Sequence, residues 1–176
     1  MRKKGVLLGV LILGLLLCSC SLERNAMVDY DRKIANKKFE ELTSAIQMRD
    51  EEQLTSLFSK ESVKTSVEFD KAIEELFDYF EGSVESYDDW GGLYVSTERE
   101  EDQVLQVIES SYDVITTESE YRFAIQYVTK DTLNPDQVGV RSLYVIKMED
   151  DTDPQYAYWG DGKNTPGINI GIPNAE

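Results

Sequence analysis

The stretch FDKAIEELFDYFEG, residues 69–82, marks the change from a helical front half to a strand-rich back half. Its apolar residues follow the i, i+4, i+7, i+8, i+11 spacing of one helix face: Phe69, Ile73, Leu76, Phe77 and Phe80. Gly82 then offers a residue that adopts the left-handed conformation at a helix end with little steric cost. Beyond Gly82 the apolar period falls to two, so the chain predicts an α+β domain in which helices precede strands.

Two more helices are predicted before this stretch. In residues 28–50 the apolar side chains recur at steps of three to five, which is the pattern of an amphipathic helix: Tyr30, Ile34, Phe39, Leu42, Ala45 and Ile46. Asp50 then offers an N-cap, with Gln53 three residues on as in a capping box. A short second helix would follow, with an inner face made of Leu54, Leu57 and Phe58.

After Gly82 the sequence predicts strands separated by turns. Residues 121–127 show the clearest pattern, because the apolar side chains alternate strictly with the residues between them: Tyr121, Phe123, Ile125 and Tyr127. The other predicted strands cover residues 93–97, 103–116 and 140–148, with a last strand that uses Ile168, Ile170 and Ile172. Helices followed by antiparallel strands favour N-terminal helices packed on one face of a curved antiparallel sheet.

The first 17 residues are typical of a secretory signal. A basic cluster at positions 2–4 precedes an apolar run that is shorter than the roughly 20 residues a membrane-spanning helix needs. The next residues resemble the bacterial lipobox, with Leu17 at −3, Cys18 at −2, Ser19 at −1 and Cys20 at +1. Cys18 fits the +1 place poorly, because Leu17 would then occupy a position that requires a small side chain.

The lipobox resemblance implies a lipid-anchored protein on the extracytoplasmic face of the cell membrane. Residues 1–19 would be removed as a signal peptide, Cys20 would carry diacylglycerol and palmitate-type acyl chains, and residues 20–27 would form a short tether. Residues 28–176 would then form a single domain without a disulfide, because no second cysteine remains. The alternatives are a redox or metal pair of the two cysteines and an uncleaved membrane helix.

The mature chain would be strongly acidic. Without the basic cluster at positions 2–4, the 18 basic residues fall to 15 against 34 acidic residues, which gives a formal net charge of −19. This charge disfavours nucleic acid and anionic lipid headgroups, because binding to either depends on positive protein charge. It attracts basic peptides or metal cations, or else it only keeps an exported domain soluble. We expect no nucleic-acid partner, and a small molecule, a peptide or a protein as the ligand.

Several segments together resemble a known family. The lipobox is joined by LTSLFS (54–59), AIEELFDYFEG (72–82), YDVITTESEYRFAIQY (112–127) and NPDQVGVRSLYVI (134–146). These segments are similar to bacterial lipoproteins grouped as domain of unknown function 5104. The resemblance covers most of residues 30–172 and implies the cone of the nuclear transport factor 2-like fold. Its motifs are structural, so it implies no reaction.

The residue types exclude several kinds of catalysis. The chain has no histidine, and lipidation would use its remaining cysteine, so Ser-His-Asp and Cys-His mechanisms and zinc sites built on these ligands are excluded. The acidic run 149–154 with Asp161 has the oxygen ligands that calcium prefers, but it fails the EF-hand register. We therefore expect a solvated loop there, no metal and no cofactor. Spacing places no Asp or Glu inside the fold, and Glu109 and Asp113 come nearest because they share a strand face with Leu105 and Ile115.

Aromatic side chains on the predicted strands are the best candidates for a binding pocket. In a cone-like fold the concave sheet face and the helices enclose a cavity, where tyrosines offer apolar walls and orienting hydroxyl groups. The candidate lining residues are Tyr94, Tyr112, Tyr121, Tyr127, Tyr144 and Trp159. We expect a non-enzymatic binding domain. The alternatives are an isomerase- or hydrolase-like pocket enzyme with a buried carboxylate and a tyrosine, an interaction module with an exposed sheet face, and an ordinary aromatic core.

Overall fold

A computed structural model describes residues 28–89, 92–150 and 163–171. Residues 35–176 form the larger of two compact units, and the core and both candidate sites lie among the described residues of this unit. Within the smaller unit, the described residues 28–34 are helical. None of the helices in the described ranges is long and apolar enough to cross a membrane.

Helices occupy the front of the described chain and strands the back. The helices are α1 (28–48), α2 (Glu51–Leu57), α3 (Lys60–Thr65) and α4 (Phe69–Tyr79). The strands are β1 (Val84–Asp88), β2 (Leu93–Glu100), β3 (Gln103–Thr116), β4 (Glu120–Asp131), β5 (Gly139–Lys147) and β6 (Gly167–Ile170). Single 3-10 turns cover Pro135–Gln137 and Met148–Asp150. This order confirms the predicted α+β class.

Side-chain caps determine where the short helices begin. Asp50 caps α2, because its carboxylate accepts the backbone N–H of Gln53 at 2.9 Å, as the capping pattern predicts. Ser59 caps α3 in the same way, through the N–H of Ser62 at 3.1 Å. The helix α3 is absent from the sequence-based prediction, since six residues are too few to show an apolar period.

The end of α4 depends on a strand side chain. The helix reaches its C-cap at Phe80, two residues before Gly82. Gly82 has the expected positive φ of +80°, and a side chain there would meet the hydroxyl of Thr117 at 2.7 Å, so the residue also permits a close approach to the turn between β3 and β4. The buried Tyr121 hydroxyl donates to the last helical carbonyl, that of Tyr79, at 3.0 Å.

The six described strands form one open, curved sheet in the order β1-β3-β4-β5-β6, with β2 also paired to β3. Strand β3 is 14 residues long, so one of its edges holds both β2, at residues 103–110, and β1, at residues 113–116. Its other edge pairs with β4. The pair β5–β6 is parallel, which departs from the predicted antiparallel sheet. Residues 148–166 give the chain enough length for such a crossover.

The helices pack on one face of the sheet, here called the helix-side face. The core there includes Tyr112 and Val114 of β3, Tyr121, Phe123 and Ile125 of β4, and Leu143 and Val145 of β5. Phe39 of α1 stacks on Tyr112 with ring centroids 4.0 Å apart and meets Phe123 edge-on at 5.7 Å. Burial of an aromatic side chain of this kind contributes roughly 3 kcal/mol to folding. The helix-side face is therefore occupied by packed aromatic side chains.

Candidate functional site

The first candidate site is an open cleft at one end of β2, β3 and β4, here called the strand-end cleft. Its volume is about 300 Å³, which lies at the lower end of the range for small-molecule sites. It is lined by the carboxylates of Glu98, Glu100 and Asp131, the amides of Gln103, Asn134 and Gln137, and the apolar side chains of Val104, Leu105 and Leu133.

Hydrogen bonds hold the loop that forms one wall of this cleft. Asp131 Oδ1 accepts the backbone N–H groups of Leu133 and Asn134, each at 2.9 Å. Thr132 ties the same loop to β3, because its N–H donates to the carbonyl of Val104 at 3.1 Å and its hydroxyl accepts the N–H of Val104 at 2.9 Å. A wall held in this way loses little conformational freedom when a ligand enters.

The lining of the strand-end cleft favours one chemical class of ligand. Leu133 is 68% exposed, so its side chain offers apolar surface that a ligand would cover. The three carboxylates accept hydrogen bonds and carry negative charge, and the three amides both donate and accept. The cleft therefore suits a small molecule or peptide segment that combines an apolar part with N–H donors or a positive charge.

The second candidate site lies on the sheet face turned away from the helices, here called the outer face. Several of its polar side chains are buried: Ser111, Arg122, Gln126, Ser142 and Tyr144. Arg122 forms a bidentate salt bridge with Asp113, in which Nε donates to Oδ1 at 2.7 Å and Nη2 donates to Oδ2 at 3.0 Å. Because buried polar groups require hydrogen-bond partners, a ligand on this face would have to match their donors and acceptors.

Glu109 and Asp113, the two carboxylates singled out in the sequence, both lie on this outer face. Asp113 is paired with Arg122, and Glu109 Oε1 accepts the side-chain amide of Gln126 at 2.6 Å. In the described ranges neither carboxylate hydrogen-bonds a tyrosine hydroxyl. A tyrosine–carboxylate pair does occur elsewhere in the described chain, where the exposed Tyr87 hydroxyl donates to Glu40 Oε1 at 2.7 Å.

The structure distributes five of the six predicted aromatic lining residues over several places. Tyr112 and Tyr121 lie in the helix-side core, Tyr127 is partly buried against it, and Tyr144 is buried on the outer face. Tyr94 on β2 is 57% exposed. Trp159, the lipobox residues Leu17, Cys18, Ser19 and Cys20, and the predicted strand residue Ile172 lie outside the described residues. Sequence reasoning missed the strand-end cleft, because its polar lining residues resemble an ordinary solvated hairpin and loop.

Tyr112 is the tyrosine whose chemistry the core changes most. Burial between Phe39 and the sheet raises the pKa of Tyr112 to about 12, although a hydrogen bond with Ser110 opposes the shift. Its hydroxyl donates to Asn36 Oδ1 of α1 at 3.0 Å. This group therefore serves as a neutral structural donor in the physiological range of pH.

A specific alkaline destabilisation follows from this raised pKa. Between pH 10 and 12 the unfolded chain releases the Tyr112 proton while the folded chain retains it, so stability falls as pH rises, by up to about 3 kcal/mol. Urea unfolding measured at several pH values should show a shallower decline for Tyr112→Phe than for the wild type. Tyr94→Phe, which removes an exposed hydroxyl, should keep the wild-type slope. Equal slopes for all three proteins would contradict this explanation.

Comparison with known proteins gives one family match. Residues 41–148 match the family described as a domain of unknown function (DUF5104). No curated protein matches the chain. The matched range begins within α1 and ends just after β5, so it contains the strand-end cleft and most of the outer face.

Proposed function

The chain belongs to the DUF5104 family of domains of unknown function, and we propose that it is a membrane-anchored extracytoplasmic lipoprotein with a non-enzymatic binding domain. The anchor is supported by the basic cluster at positions 2–4, the short apolar run and the lipobox that ends at Cys20. In this proposal residues 1–19 are removed and residues 20–27 tether the domain to the cell membrane. Two or more acyl chains on Cys20 give stable anchoring.

The observation that carries the binding role is the strand-end cleft. It combines a volume in the range of ligand sites, an exposed apolar side chain at Leu133 and a wall held by Asp131. The helix-side face, by contrast, is filled by the stack of Phe39 on Tyr112. A ligand therefore enters at the strand ends, without any displacement of the core.

The charge of the mature chain supports a particular class of partner. A net charge of −19 favours ligands with positive charge and keeps the domain away from anionic headgroups and nucleic acid. We therefore expect the partner to be a positively charged small molecule, peptide or protein segment.

The nuclear transport factor 2-like cone is part of this proposal. Its support is the packing of α1 and α4 on one face of a curved sheet whose long central strands, β3 and β4, pair antiparallel. Strand β6 extends this antiparallel sheet at its edge, where it pairs in parallel with β5.

A fragment screen observed through the backbone amides of the protein tests the binding role. We expect fragment-sized compounds, above all amines with an apolar group, to shift the amides of Leu105, Asp131 and Gln137. Leu133→Ser removes the exposed apolar wall of the cleft and should weaken these compounds about fivefold. Val138→Ser, at a partly exposed valine just outside the cleft lining, is the matched control and should leave them unchanged. Hits that cluster between the helices and the sheet would contradict the proposal.

A further inference from the structure

Three polar side chains lie side by side across the outer face. Glu109 of β3 is opposite Gln126 of β4, and Gln126 is opposite Ser142 of β5. Gln126 Nε2 donates to Glu109 Oε1 at 2.6 Å, which turns the other amide atom, Oε1, away from the carboxylate. We call these three residues the outer-face row.

Among the residues that the structure describes, two oxygen atoms of the outer-face row are buried without a hydrogen-bond partner. They are Gln126 Oε1 and Ser142 Oγ, in side chains that are only 7% and 0% exposed. A buried acceptor without a partner destabilises a fold, and most proteins satisfy such atoms with a protein group, a water or a ligand. The two atoms belong to neighbouring residues of one row, so a single donor group can serve both.

A small cavity lies against these atoms. Its lining includes all three residues of the outer-face row together with Ala124, Tyr144 and Asn164, and it has room for one water-sized group, about 10 Å³. A ligand cannot be enclosed there as a whole, but one terminal group of a ligand can be.

The donor that suits this cavity carries positive charge. Both of these unpartnered atoms are oxygens, and Glu109 adds a carboxylate beside them. A primary ammonium group has three N–H donors, a compact head of the required size and charge complementary to the carboxylate. A metal ion is the weaker choice, because the described ranges hold no group of three acidic, histidine or cysteine residues that could ligate one.

We propose that the outer-face row binds the ammonium group of a small primary amine through Glu109, Gln126 Oε1 and Ser142 Oγ. This site is separate from the strand-end cleft, and either site can exist without the other. No covalent step is involved.

Titration of the full-length protein in detergent with methylammonium chloride tests this inference. The side-chain amide resonances of Gln126 should shift and saturate, whereas tetramethylammonium chloride at the same ionic strength should cause no such shift because it has no N–H donor. Glu109→Gln should weaken methylammonium at least tenfold, and Ser142→Ala at least fivefold. Ser111→Ala, on the same face but outside the cavity lining, should bind as the wild type does.

The results that would overturn this inference are equally definite. An absence of saturable shifts at Gln126 would mean that the cavity holds water alone. Equal shifts with both salts would indicate a general effect of ionic strength. Unchanged affinity in the folded Ser142→Ala protein would show that its hydroxyl has no part in binding.

Discussion

Cys20→Ala is expected to abolish lipid labelling of the protein completely. In the lipobox pattern the thiol at the +1 position receives the diacylglycerol, and cleavage after residue 19 follows that modification. The variant should incorporate no radioactive palmitate and should retain residues 1–19, which makes it heavier than the mature wild-type polypeptide on a denaturing gel.

The neighbouring thiol supplies the matched control for this experiment. Cys18→Ala places another small residue at the −2 position, so labelling and cleavage should remain at the wild-type level. A palmitate label that persists in Cys20→Ala, or one that disappears in Cys18→Ala, would contradict the assignment of the anchor to residue 20.

Gly139→Ala is expected to lower the free energy of unfolding by about 3 kcal/mol. Gly139 has φ +134°, and a Cβ atom there would lie 2.6 Å from the backbone nitrogen of Ser59 and 2.9 Å from the carbonyl carbon of Phe58. Rotation of a side chain cannot relieve these contacts. The backbone atoms are also held in place, because Ser59 N–H donates to the carbonyl of Val140 at 2.9 Å. Alanine would therefore strain β5 or separate it from the junction of α2 and α3.

Urea unfolding of Gly139→Ala and of Gly92→Ala distinguishes steric contact from backbone strain alone. Gly92 also has a positive φ, +79°, but within the described part of the chain a Cβ there would meet no heavy atom within 4 Å. Its substitution should therefore cost only about 1 kcal/mol. If both substitutions lowered the free energy of unfolding equally, the close approach of Gly139 to Ser59 would not contribute to the destabilisation.

The sequence predicts best those elements whose side chains alternate between core and solvent. The helix that begins at Phe69 and the strand that contains Tyr121 and Phe123 both show their period clearly, and the structure confirms both. Strand β1 has no such period, since four of its five residues are exposed, so the sequence does not predict it. The parallel pairing of β6 depends on the path of the chain after β5, about which local periodicity has no information.

The candidate sites were harder to predict, for a reason that the outer face makes clear. Gln126 and Ser142 look like solvent-facing residues of half-buried strands, yet both are buried. Their proximity results from the register between β4 and β5, which is shifted by a bulge between Gln126 and Tyr127. The aromatic residues, in contrast, suggest a pocket because they lie on the predicted strands of a cone-like fold. Phe39 of α1 fills the space beside Tyr112 that such a pocket would need.

Lipid anchoring can be tested by mass spectrometry of the mature N-terminal peptide, from protein extracted from membranes. We expect a peptide that begins at Cys20 and carries the mass of a diacylglyceryl group, with or without a further acyl chain. A peptide with an unmodified N-terminus upstream of Cys20, or one that contains an oxidised pair of Cys18 and Cys20, would contradict it.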